Sequence, residues 1–295
     1  MSQPTATGPS TVTWREIHDE LTATIADPEA LWLCEDASGF DGDDWHRHID
    51  NAASQRGVAR LDAMVARRQA GEPLQYVLGH WSFRTLDLAV DRRVLIPRPE
   101  TEQVVEWALA ELDALGGRDV ATNVVDLGTG SGAIALSIAV ERRRANVWAV
   151  ERSADAAAVA RANTAGIGRD GTRVTVVESV WFTKLPARLR GRVDLIVSNP
   201  PYVSDGDGLP PEVEGWEPLE ALRSGADGLD DIRHIVASAP AWLTSEGTLV
   251  VEIAPSQAES VVGLAIEAGF VTAEVVADLA DRPRALIARM RPRTP

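Results

Sequence analysis

Two short stretches of this chain carry residue types that can do chemistry. The first is Asp126-Leu127-Gly128-Thr129-Gly130-Ser131-Gly132-Ala133, where glycines alternate with small hydroxyl residues. Glycine adopts positive φ at no steric cost and lets backbone amides come close to a ligand. At the start of a helix such a loop favours an anionic group. Glu151 ends the next apolar segment, where a carboxylate can take the two hydroxyls of a ribose. Loop and carboxylate together describe a nucleoside site. No Gly-Lys-Ser/Thr follows, so it is not a Walker loop, whereas Gly128-x-Gly130-x-x-Ala133 also approximates a dinucleotide fingerprint.

The second stretch, Ser198-Asn199-Pro200-Pro201-Tyr202, bears on that ambiguity. Asn-Pro-Pro followed by Tyr or Phe arises by chance in a chain of this length only about two times in a thousand at background composition. Each proline lacks an N–H and holds the preceding residue extended, which stiffens the backbone and leaves carbonyls free to accept. The Asn199 side-chain oxygen and the Pro200 carbonyl can then take the two hydrogens of an –NH2 group. That turns the nitrogen lone pair toward an electrophile, with Tyr202 offering a flat face to a planar substrate. The reaction these residues suit is in-line transfer of a methyl from S-adenosylmethionine to a conjugated amine or amide nitrogen. Positioning and desolvation would dominate it. The methylated nitrogen is acidic enough to lose its proton to water or to Asn199, so no strong base is expected.

The elements that must hold these groups follow from periodicity. From Asn123 onward strand and helix alternate: Val124-Val125-Asp126-Leu127, a helix from Ala133, Val147 to Val150, a helix from Ala154, and Val174 to Val177. Later strands are read at Val193 to Val197, Thr248 to Ile253, Val271 to Val276 and Ala285 to Arg289. This alternation implies a parallel sheet covered by helices, with ligands at the carboxyl ends of its strands and the Asn199 strand beside the glycine-loop strand. Upstream, Trp14, Ile17, Leu21 and Ile25 follow a Thr13/Glu16 capping box, and Asp27-Pro28 reads as a helix start. Further helices are expected near Trp45 to Ala53 and Val58 to Gln69, with the acidic stretch Glu35 to Asp44 as a loop. Trp81 to Ile96 reads as a hairpin turning near Asp91-Arg92-Arg93, followed by a helix from Glu100 to Leu115. The expected division is a helical domain over 1–75, a hairpin linker over 76–98 and an α/β domain over 99–295.

Composition bounds the function classes. Of 295 residues, 29 are Lys or Arg and 44 are Asp or Glu, a formal charge of −15 that disfavours a broad nucleic-acid surface. Residues 1–90 hold 7 Arg, no Lys and 14 acidic side chains, which suits protein docking better than phosphate clamping. The single cysteine, Cys34, permits no intrachain disulfide and suits a reducing cytosol. Met1 to Thr7 is polar and does not read as a signal peptide, and no apolar run approaches a membrane span. The five histidines are scattered, and no metal site is expected.

Taken together, these motifs resemble the protein-glutamine N5-methyltransferases of the type that modifies peptide chain release factors. The resemblance extends to Gly71-Glu72-Pro73-Leu74-Gln75-Tyr76, to Leu95-Ile96-Pro97-Arg98-Pro99-Glu100-Thr101-Glu102 and to Glu217-Pro218. It continues through Asp227-Gly228-Leu229, Val251-Glu252-Ile253, Gln257, Asp278 and Arg284, covering about residues 70 to 290. It implies a seven-stranded, Rossmann-like class I S-adenosylmethionine-dependent methyltransferase domain, a β-hairpin linker and a small N-terminal all-helical domain that docks a release factor. The substrate would be the glutamine of a Gly-Gly-Gln loop. By the same resemblance Gly128, Thr129, Gly130, Ser131, Gly132, Glu151, Trp181 and Asn199 contact the cofactor, while Asn199, Pro200, Pro201 and Tyr202 hold the glutamine amide.

Three positions depart from the family pattern. Glu151 stands where Asp is more frequent, Val180 where an acidic residue is common, and Ala254 where Gly is frequent. These departures point to a paralogue that methylates a different protein glutamine as one alternative; the others are methylation of an exocyclic base amine in DNA or RNA, which the Asn199 to Tyr202 motif also supports chemically, and a silent cofactor-binding paralogue, motivated by Val180.

Overall fold

The computed structural model describes residues 12–116 and 119–292. The reading of the opening Met1 to Thr7 lies outside the described residues. The chain divides into two compact units, residues 1–79 and 80–295.

The first unit is helical: α1 Trp14–Leu21, α2 Asp27–Ser38, α3 Gly42–His48, α4 Gln55–Gln69 and α5 Leu74–Leu78. The Thr13/Glu16 capping box forms in both directions and opens α1 as its sequence predicts. At α2 the cap is Ala26, one residue before the expected Asp27, which is itself helical and carries its charge into the first turn. The acidic stretch is not a loop. Its Ala37 is buried and carries α2 on to Ser38, Gly39 closes that helix at φ 75°, and Asp43 and Asp44 suit the first turn of α3. Trp14, Leu33, Trp45 and Leu61 are buried in one core. A Cβ at Gly57 would lie 2.8 Å from the Trp14 ring, so α4 approaches α1 this closely only through glycine. Burial pushes the Cys34 thiol up to about 12, as expected of a packing residue.

The second unit opens with a hairpin, β1 His80–Phe83 and β2 Leu86–Ala89. Its turn lies at Arg84-Thr85, seven residues before the first residue of the expected Asp91-Arg92-Arg93 turn. Arg84 adopts φ 53°, held by a backbone bond to Glu102 and side-chain ion pairs to Glu106 and Glu141. These partners are distant in sequence, and local turn rules do not report them. Then follow α6 Pro99–Asp113, β3 Thr122–Leu127, α7 Ala133–Glu141, β4 Ala145–Glu151, α8 Ala154–Gly166, β5 Val174–Glu178 and β6 Val193–Ser198. The remainder comprises α9 Pro211–Glu214, α10 Asp230–Ser238, β7 Leu243–Glu252, α11 Ala258–Glu267, β8 Thr272–Ala277 and β9 Pro283–Arg289.

Seven strands form one sheet in the order β5-β4-β3-β6-β7-β9-β8, parallel except for β9, which runs antiparallel to both neighbours. β6 lies beside β3, as its motif requires, with Ser198 opposite Leu127. Both sheet faces are buried. Residues of α10 and α11 pack with Val125, Leu127 and Ile196 on one face, and residues of α6 and α7 with Val124, Leu195 and Val197 on the other. Phe83 and Leu88 of the hairpin join the second of these cores.

A part-buried ion pair ties α6 to the sheet. Glu111 accepts from Arg289 at 2.8 and 3.0 Å and from the Thr248 hydroxyl at 2.9 Å. Glu111→Ala removes three hydrogen bonds to a buried carboxylate, leaving the part-buried Arg289 guanidinium to its pair with Glu274, and is expected to cost about 3 kcal/mol. Thermal unfolding followed by circular dichroism should then show a Tm lower by about 6–12 °C. A drop below about 2 °C would show that the pair does not hold α6 in place.

Candidate active site

The glycine loop leaves the end of β3 and enters α7. Gly128, Gly130 and Gly132 have φ of 74°, 55° and 92°, values that side-chain-bearing residues adopt only with strain. The loop is tied to β4, because the amides of Gly128 and Thr129 both donate to the Val150 carbonyl at 2.9 Å. Beneath it lies Asp126, fully buried, accepting from the Thr129 hydroxyl at 2.5 Å and from the Ala135 amide at 3.2 Å. Its other oxygen has no hydrogen-bond partner, and burial pushes the carboxyl up to about 7.

Glu151 ends β4 and curls back under the loop. One carboxylate oxygen accepts from the Gly130 amide and the other from the Ser153 amide, both at 2.9 Å. A carboxylate offers about four lone-pair sites. Each Glu151 oxygen therefore keeps one for a hydroxyl brought to it, which is what a ribose diol needs. Trp181 reaches the loop from beyond β5. It holds φ 43°, is 9% exposed, and its ring lies 3.5 Å from where a Cβ of residue 128 would sit. A left-handed tryptophan is strained, and such strain persists only where the surroundings enforce it. Val180 beside it is 55% exposed, and Ala254 has φ −73°, a conformation that needs no glycine.

Asn199 follows β6 as Gly128 follows β3, and its carbonyl oxygen lies 3.9 Å from the Gly128 Cβ position. Its side-chain NH2 donates to the Thr101 hydroxyl at 3.1 Å, and that hydroxyl donates to Glu252 at 2.7 Å. The Tyr202 hydroxyl donates to the other Glu252 oxygen at 3.3 Å, and burial raises the phenol above its ordinary value.

A cleft opens at these strand ends. Gly128, Gly130, Glu151, Trp181, Asn199 and Pro201 line it. Thr129 and Ser131 are buried beneath the loop and Gly132 starts α7, while Tyr202 faces a second hollow shared with Gln257. The far walls come from residues 93–95 and 218–221, which the sequence reading did not place at the site. Glu217 staples these walls, pairing with Arg98 at 2.5 Å and accepting the Ile96 amide at 3.1 Å, and Arg92 stacks over Trp216. Thr101 reads from the sequence equally as a helix start or a cofactor contact, and Glu252 carries no site role there. The signal for Glu252 is a carboxylate in the otherwise apolar run Leu249-Val250-Val251-Glu252-Ile253.

The sheet order and the loop define the class, an S-adenosylmethionine-dependent methyltransferase of the seven-stranded α/β kind. Residues 14–79 match the family model for the PrmC N-terminal domain and residues 109–209 that for the methyltransferase small domain. A Geobacter sulfurreducens release factor glutamine methyltransferase is 42% identical over 82% of this chain and 82% of its own length. One from Burkholderia pseudomallei is 41% identical over 95% and 96%. A solved methyltransferase from Pyrococcus furiosus shares the fold, with a TM-score of 0.51 and 16% identity, covering 78% of this chain and 97% of that one. The chain belongs to the release factor glutamine methyltransferase family.

Proposed function

We propose that this enzyme transfers a methyl from S-adenosylmethionine to the side-chain amide nitrogen of a protein glutamine, that of the Gly-Gly-Gln loop of a peptide chain release factor. The observation that carries this reading is the placement of Asn199 beside the glycine loop, on the wall of one cleft with Glu151 and Trp181. The named relatives support the choice of substrate.

In this reading Gly128 to Gly132, Glu151, Trp181 and Asn199 hold the cofactor. The free lone pairs of Glu151 take the ribose, the ring of Trp181 packs on the purine, and the bare face of Gly128 leaves room for close approach. The bound cofactor supplies an electrophilic methyl on a sulfonium. The Asn199 oxygen and the Pro200 carbonyl accept the two amide hydrogens of the glutamine, which directs its nitrogen lone pair at that methyl. Pro201 stiffens the turn, and Tyr202, on the neighbouring hollow with its hydroxyl tied to Glu252, holds the end of that turn. The cofactor, held by these residues, would give up its methyl with the carbon–sulfur bond pair staying on sulfur, and the nitrogen held by Asn199 and Pro200 would pass its extra proton to water. The gain is orientation and exclusion of solvent.

The helical unit, with its excess of acidic side chains, docks the release factor, and the enzyme works in the cytoplasm, where its substrate is made. Among the described residues, no helix is long and apolar enough to cross a membrane. Incubating the protein with S-adenosylmethionine and the release factors of its own organism, followed by intact-mass analysis and peptide mapping, should show one added methyl on the Gly-Gly-Gln glutamine. Release factors left unmodified by enzyme that binds the cofactor would overturn the substrate assignment.

A further inference from the structure

Asn199 can serve a substrate amine only if its amide faces the right way, with oxygen toward the cleft and NH2 away from it. The two ends of a primary amide are nearly equal in size, so packing hardly distinguishes them. Something with a fixed donor–acceptor sense must make the choice.

The relay behind Asn199 has that sense. Thr101, in the first turn of α6, is buried, and its hydroxyl has one proton to give. Glu252, at the end of β7, is 1% exposed and accepts from Thr101 at 2.7 Å and from Tyr202 at 3.3 Å. An ionised carboxylate can only accept. The Thr101 proton is therefore committed to Glu252, and the hydroxyl shows only lone pairs to Asn199. The Asn199 NH2 meets them at 3.1 Å, which turns the amide oxygen away from the relay. With Glu252 protonated, the carboxyl could donate to Thr101, whose own proton would then be free to seek the Asn199 oxygen. The amide would reverse and present donors where an acceptor is needed.

We propose that Glu252, acting through the Thr101 hydroxyl, is a positioning residue that sets the facing of the Asn199 amide and so the ability of Asn199 to accept from the substrate nitrogen. This rests on the role given to Asn199 under the proposed function. Neither Thr101 nor Glu252 lines the cleft: Thr101 reaches it through Asn199, and Glu252 through Thr101 and Tyr202.

The relay titrates in an accessible range. Burial pushes Glu252 up to about 7, against the opposing bonds from Thr101 and Tyr202 and the attraction of Arg284, with Glu100 adding repulsion. Arg284, from β9, is itself paired with Asp278 at 3.1 Å, and Glu100 faces Arg282 at 3.6 Å. The competent state is the ionised one. Turnover is therefore full above the Glu252 midpoint and falls as pH drops through about 7.

The test uses the full chain with S-adenosylmethionine and a Gly-Gly-Gln release factor. Thr101→Val, isosteric but without the hydroxyl, should lower kcat about 100-fold, since a misdirected reacting group costs that much. The substrate KM and the cofactor Kd should stay within about threefold. Thr101→Ser, which restores the hydroxyl, should recover most of the loss. Glu252→Gln cannot titrate and should abolish the acid limb of the kcat profile. A second readout needs no turnover: in 15N- and 13C-labelled enzyme with cofactor bound, the Asn199 side-chain amide signals should shift with the same midpoint as the Glu252 carboxyl. Thr101→Val should uncouple the two. A kcat for Thr101→Val within threefold of the unaltered enzyme, an acid limb that persists in Glu252→Gln, or an Asn199 amide that ignores the Glu252 titration would each overturn the proposal. An unaltered enzyme that methylates no release factor would instead sink the functional reading, and the amide titration would then decide the relay by itself.

Discussion

Replacing Asn199 by Ala is expected to lower methyl transfer about 1,000-fold while leaving S-adenosylmethionine affinity within about twofold. The two effects separate because Asn199 stands beside the glycine loop through its backbone carbonyl, which alanine keeps, and would meet the substrate through its side chain, which alanine loses. The loop amides, Glu151 and the Trp181 ring remain in place when the Asn199 side chain is removed, since the bonds that hold the loop and Glu151 run among Val150, Gly130 and Ser153 and not through that side chain. What disappears is the acceptor that holds one hydrogen of the substrate amide. An amide lone pair is delocalised into its carbonyl and is a poor nucleophile, so the group that turns the nitrogen toward the methyl acts mainly in the transition state. Interactions of that kind lower kcat when lost and leave ground-state binding nearly unchanged. The variant also strands no charge, because Thr101 keeps its bond to Glu252. Calorimetry with the cofactor and single-turnover kinetics with a release factor check the two halves separately. A variant that keeps turnover within tenfold would show that Pro200 and the backbone orient the amine without Asn199.

The parts of this site that were legible in the sequence are those whose chemistry is local. A run of glycines at a strand-to-helix junction, a carboxylate one strand later and two prolines after an asparagine each constrain their own backbone. Strand and helix alternation then places β6 next to β3. What escaped depends on partners far apart in the chain. The hairpin turns at Arg84 because α6 and α7 supply the carboxylates that hold it. The Glu35 to Asp44 stretch reads as solvated when its charges are counted, yet Ala37 faces a core and Asp43 and Asp44 favour a helix start. The walls at 93–95 and 218–221 meet only because Glu217 binds both Arg98 and the Ile96 amide. Glu252 shows the intermediate case. A lone acid in an apolar strand announces a buried polar contact, but it does not say that Thr101 answers it.

Glu151→Ala is expected to weaken S-adenosylmethionine binding about 100-fold, and it probes the other half of the cleft. Each Glu151 oxygen already receives one backbone N–H at 2.9 Å, which leaves the carboxylate rigid and its remaining lone pairs aimed at whatever enters the cleft. Two charge-assisted hydrogen bonds from a ribose diol, net of the water they replace, are worth about 3 kcal/mol together, which is about two orders of magnitude in Kd. The alanine variant also frees the Gly130 amide, so the loop loses an anchor as well as its ligand. Glu151→Gln separates these contributions. It keeps one acceptor oxygen and the side-chain volume, and should weaken binding by only about tenfold. Because a ligand stabilises the fold in proportion to the logarithm of its concentration over Kd, the same ordering should appear as a thermal shift, large for the unaltered enzyme, reduced for Gln and nearly absent for Ala at equal cofactor. A Kd for Glu151→Ala within threefold of the unaltered value would mean that the carboxylate only braces the loop, and that the ribose is held by other groups in the cleft.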